Sequence, residues 1–87
     1  MSRRTKRESQ KMLKAVVVLL RNTTWKCGKV ERLIVEYLQN RIKKYGTPHS
    51  PVKEIAQHFN LNGRQRSELF DALKRLERRH IVEIRGI

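Results

Sequence analysis

The sequence predicts a mainly α fold, one small domain of helices closed by a short strand. Apolar residues recur at three- and four-residue steps through most of the chain. Capping and stop residues cut that pattern into segments of helical length. Only residues 80–85 alternate in the manner of a strand. The chain has 87 residues, 38% of them hydrophobic, which fits one domain with a thin core. Domains of this size often gain support from a second copy.

Residues 1–7, MSRRTKR, have no apolar periodicity after Met1 and read as a flexible basic arm. Arg3, Arg4, Lys6 and Arg7 are placed there to meet phosphate. Residues 8–87 form the single domain. Its first part, 8–22, is expected to be an extra N-terminal helix. The three successive valines favour a strand by propensity. Helical spacing and the lysines at 11 and 14 favour the helix. Its broad apolar face, with Met12, Leu13, Val16, Leu19 and Leu20, is expected to meet a partner copy.

Residues 22–28, NTTWKCG, interrupt the pattern. Trp25 is expected to pack at the junction of two helices. Cys27 is expected to be a small, half-buried apolar residue. Lys29 to Tyr45 is the clearest long helix, with Val30, Leu33, Ile34, Tyr37, Leu38 and Ile42 in register. Lys43 and Lys44 suit its C-terminal dipole, Gly46 suits the position just past its end, and Pro48 follows.

Ser50 and Pro51 open the next helix as N-cap and first helical residue. Its buried face is Val52, Ile55, Ala56 and Phe59. The run Asn60-Leu61-Asn62-Gly63 stops it. Asn62 is the expected cap of a further helix, with Gln65 at capping-box spacing. Leu69, Ala72, Leu73 and Leu76 should point inward, with Phe70 at the edge. Residues 50–79 therefore satisfy the needs of a helix-turn-helix. Ala56 is the small residue at the crossing, Asn60 tolerates an unusual backbone, and Leu61 tucks under both helices.

The charge is strongly unbalanced. Lysine and arginine total 21 against 8 acids, a net +13. Residues 1–29 hold +8 of it, residues 30–61 hold +2 and residues 62–87 hold +3. An excess of this size points to a polyanion, most often nucleic acid. One cysteine excludes an intramolecular disulfide and fits a reducing, intracellular compartment. The apolar run 15–20 is too short to span a bilayer, so no membrane partner is expected. His49, His58 and His80 lack metal-ligand spacing, and no nucleophile elbow, paired-acid site or phosphate loop is present. The expectation is no enzyme, no cofactor, no metal and no small-molecule ligand.

The segments EIAQHFNL and LFDALKRLERRHIVEI resemble the winged helix-turn-helix regulators, including the small ones of archaea and of their viruses and plasmids. The resemblance covers residues 30–85. In that family the reading helix commonly ends in a leucine-x-x-leucine-glutamate stretch before an apolar strand, matched here by Leu73, Leu76, Glu77, Ile81 and Val82. Two departures stand out. The usual glycine before the strand is His80, and no second wing strand follows, so the wing is expected to be minimal and truncated.

The resemblance implies double-stranded DNA as partner, with the start of the reading helix at base edges. Arg64, Gln65 and Ser67 are candidates, and Glu68 or Asp71 can accept from cytosine. Lys53, Arg66, Lys74, Arg75 and Arg78 are candidates for phosphate. The implied protein is a homodimeric transcriptional regulator of the cytoplasm, associated with a nucleoid or with a host cell if viral. An RNA- or ribosome-associated role and a protein–protein winged-helix module are the alternatives. The scattered aromatics Trp25 and Tyr45 disfavour stacking on single strands.

Overall fold

A computed structural model of the chain describes residues 6–86, with side chains from Gln10 onward. Its elements, in order, are α1 (Lys6–Lys14), β1 (Val16–Leu19), α2 (Lys29–Tyr45), β2 (His49–Pro51), α3 (Val52–His58), α4 (Arg64–Arg78) and β3 (Val82–Arg85). The architecture is mostly helical, with one three-stranded antiparallel sheet in the order β2-β1-β3. The expectations for Arg3 and Arg4 lie outside the described residues. Lys6 and Arg7, assigned to the arm, belong to the first turn of α1.

The expected helix over 8–22 is corrected. It ends at Lys14, and Val16–Leu19 is the central strand of the sheet. β-Branched residues fit a pleated surface better than a helix. The helical spacing read through Met12, Val16 and Leu19 crosses the break at Ala15. β1 pairs on both sides: Val17 lies opposite Ser50 of β2 and Ile84 of β3, and Leu19 lies opposite Val82. Val17 and Leu19 therefore face the helices, while Val16 and Val18 are half-buried on the other face.

The strand expected to stand alone after α4 is also paired. β3 pairs along its whole length with β1, which comes from the other end of the sequence. On β3's far edge, Glu77 of α4 accepts the Ile84 N–H at 3.2 Å, so that donor is not left for another chain.

The core lies between the inner sheet face and α2, α3 and α4. Ile34, Leu38, Ile55, Leu69, Leu73 and Leu76 fill it as the periodicity requires. Phe70, expected at the edge, is fully buried. Leu33 and Ile42, expected inward on α2, are exposed. Ser50 is not a helix cap. It is buried in β2, where its hydroxyl meets the Tyr37 hydroxyl at 3.3 Å and donates to the Pro51 carbonyl. α3 starts one residue after Pro51, which takes the cap position.

Two helix ends share one device. After α3, Asn60 adopts φ 55°, its N–H bonds the Gln57 carbonyl, and the Leu61 N–H bonds the Ala56 carbonyl at 2.9 Å. After α4, His80 adopts φ 58°, its N–H bonds Glu77, and the Ile81 N–H bonds Leu76 at 3.0 Å. Both are Schellman endings, in which a left-handed residue turns the chain and the next apolar residue folds back on the helix. Leu61 and Ile81 supply those apolar residues, half-buried and buried respectively.

Candidate nucleic-acid interface

The α3–turn–α4 segment determines which side chains of α4 reach solvent. The start of α4 is set by Gly63 at φ 51°, ψ −121°, a backbone that favours glycine. Asn62, the expected cap, lies one residue further out and offers its carbonyl to the Gln65 N–H at 3.0 Å. From Gly63 onward the stripe Leu69, Ala72, Leu73 and Leu76 is buried. Helical geometry then points Arg64, Ser67, Asp71, Lys74 and Arg78 away from the core. All are exposed except Ser67, which is half-buried.

The other expected base-reading residues stand at a flank. Gln65 and Glu68 border an apolar recess toward α2, together with Val30, Leu33, Phe59 and Leu61. Arg66 is exposed, and its Nε donates to the Leu61 carbonyl at 3.3 Å, so its root rests on the turn. Lys53 is exposed on α3.

Arg75, expected at phosphate, has a partner within the fold. Its Nε donates to Glu31 Oε1 at 2.6 Å, tying α4 to the first turn of α2. Glu31 is buried, and its other oxygen accepts the Gly28 N–H at 3.2 Å. Arg79 approaches the same carboxylate at 4.0 Å. Burial alone would raise the Glu31 pKa. The hydrogen bonds from Arg75 and Gly28 and the charges of Arg75 and Arg79 outweigh it, so the carboxyl titrates below its ordinary 4.5. Glu31 was not foreseen as important. Its only sequence signal is capping-box spacing after Gly28, and nothing local names Arg75.

Arg79 has a second task. Its guanidinium donates to the Trp25 carbonyl at 2.6 Å and the Lys26 carbonyl at 3.1 Å. It thereby holds the 20–28 loop against the end of α4. Trp25 does not pack at a helix junction as expected: it is 69% exposed. No apolar spacing marks it, because its neighbours Thr23, Thr24 and Lys26 are polar. Cys27 is half-buried against Arg79, as expected of a small apolar residue.

The expected dimerisation face is also corrected. Met12 and Leu19 are core residues, and Leu13 packs partly against them. Val16 is half-buried in the central strand, and only Leu20 is open, at 52% exposure. The face needs one continuous helix, and the break at Ala15 sends Met12 and Leu19 into the core and leaves Leu20 outside. Among the described residues no group of His, Cys, Asp and Glu is arranged to hold a metal, and no helix is long and apolar enough to cross a membrane.

Comparison with known proteins returns no match, whether to a family model, to a curated protein or to a solved structure.

Proposed function

We propose that this protein binds double-stranded DNA in a sequence-specific way, as a winged helix-turn-helix regulator of transcription. The observation that carries this reading is the outward stripe of α4. It places Arg64, Lys74 and Arg78 on one face behind a tight left-handed turn, on a chain of net charge +13. A helix so displayed suits the major groove. Arg64 can take guanine through two acceptors, with Ser67 and Asp71 one turn and two turns along. Lys74, Arg78 and Lys53 supply phosphate contacts, which position without reading. Arg75 belongs to the scaffold.

The wing of this reading is unusual. The strand that pairs with β3 is β1, from the other end of the sequence, rather than the second arm of a hairpin. The homodimer belongs to the same reading, because paired half-sites about 34 Å apart are how such helices gain specificity. Of the face expected for it, Met12 and Leu19 are drawn into the core and Leu20 stays exposed.

Selection of bound sequences from a random duplex pool tests the reading. A converged palindrome is expected. Convergence on an unpaired half-site removes the dimer. Equal retention of all sequences, or preferential capture of structured RNA in competition, overturns sequence-specific DNA binding.

A further inference from the structure

We infer that the Trp25 loop is a second nucleic-acid contact, one that stacks on an unpaired base next to the duplex held by α4. The inference rests on the proposed function and adds a separate site to it. Trp25 is the only tryptophan of the chain, and its indole lies in solvent at 69% exposure. A domain short of apolar residues gains by burying an indole. Here several interactions instead hold it outward. Leu20 and Arg21 both donate to the Ile81 carbonyl, Thr23 Oγ1 accepts the Trp25 N–H, and Cys27 donates to Thr24. Lys26 adopts φ 56°, and Arg79 clamps the two carbonyls beside the ring. The display is built rather than a frayed end.

The surroundings define the ligand. Lys26 Nζ lies 4.6 Å from the ring centroid, which leaves the opposite face for a flat partner. Arg21 borders a recess on one side of the indole, and Arg78 borders one on another side. A flat aromatic surface flanked by cations matches a base flanked by phosphates. An acidic peptide would satisfy the cations and leave the indole face unused.

Arg78 belongs to both surfaces, so the contact with α4 is continuous. α4 runs about 20 Å from Arg64 to Arg78, at 1.5 Å per residue. The loop therefore engages nucleotides other than those read at Arg64. Within a duplex both faces of a base are already stacked. An unpaired base can turn a face to the indole, in a single-stranded tail or at a melted step.

The sole tryptophan is its own reporter. The full chain is titrated with a short blunt duplex and with the same duplex carrying a single-stranded tail, following anisotropy and tryptophan fluorescence. The tailed duplex is expected to quench the indole and to bind about tenfold tighter. Trp25→Ala should bring that ratio near one and leave blunt-duplex affinity unchanged, while Trp25→Phe keeps part of the preference. Circular dichroism checks that both variants fold.

Equal quenching by the blunt duplex, or a tail preference that survives in Trp25→Ala, overturns the inference alone. Quenching by polyglutamate and not by the tailed duplex also overturns it, in favour of an acidic protein partner. If neither duplex binds, the duplex-reading proposal itself fails, and this site falls with it.

Discussion

Arg75 reaches across from α4 to Glu31 at the start of α2, closing a 2.6 Å hydrogen-bonded ion pair between residues 44 positions apart. Glu31 is buried, whereas half of the Arg75 side chain is in solvent. The pair is therefore asymmetric. Arg75 can be lost to solvent at modest cost, but the carboxylate left behind has few other donors. This contact ties α4 to the first turn of α2, on a helix whose rotation its buried apolar stripe already sets.

Removing the carboxylate should cost stability in a pH-dependent way. Glu31→Gln is expected to lower the unfolding free energy by about 1 kcal/mol at neutral pH, since it leaves only the half-exposed Arg75 without a partner. The Glu31 pKa lies below its ordinary 4.5 in the folded protein. A depressed carboxyl contributes stability that is complete above the unfolded value and is lost as pH falls through the folded value. The gap between wild type and Glu31→Gln should therefore be full at pH 7 and shrink as acid protonates Glu31. Urea midpoints measured across the acid range check this, and a gap constant with pH would refute it.

The two roles assigned along α4 separate in a salt titration. Lys74→Ala and Arg78→Ala should each lower the log–log salt slope of DNA binding by about 0.9. Neither should move stability by more than about 0.5 kcal/mol, since both residues are exposed. Arg75→Ala should do the reverse, lowering stability by about 2 kcal/mol with little change in slope, because it strands the buried carboxylate. A loss of slope in Arg75→Ala equal to that in Arg78→Ala would return Arg75 to the phosphate contacts.

The central strand gives a prediction that a helical dimer would not. Val17 is fully buried between two strands, and Val16 is only half-covered. Val17→Ala is expected to cost about 2 kcal/mol, and Val16→Ala less than half of that. Both should remain independent of protein concentration. Destabilisation that deepens on dilution would point instead to an interface.

His80 occupies the left-handed position of the Schellman ending of α4, at φ 58°. A side chain there costs roughly 1 kcal/mol relative to glycine. His80→Gly is expected to raise the melting temperature by several degrees without altering DNA affinity. A lower melting temperature would mean that the imidazole makes a compensating contact.

Much of the helical part was legible because its signals are local. The long helix appears with the bounds that its periodicity and its stop at Gly46 imply, and the Gly46 N–H bonds the Ile42 carbonyl. Asn60 is left-handed where the turn demanded it, and Leu61 packs beneath. The candidate reading face followed from the inward stripe of α4. Its flank did not, because Gln65 and Glu68 meet α2 in a recess that no spacing along α4 encodes.

What the sequence by itself determined are the features a segment can decide within a few turns of its own chain. These are the net charge of +13, the extents of α2 and α4, and the left-handed turn between α3 and α4. A helix closes its own hydrogen bonds, so its caps and its apolar stripe suffice. Tertiary structure alone decided that Val16–Leu19 is a strand, that Arg75 faces Glu31, and that Trp25 is held in solvent by Arg79, 54 positions away. A strand must find its hydrogen bonds on other strands, and a clamp must find its carbonyls on another loop. Those partners lie far away in sequence, and no local pattern specifies them.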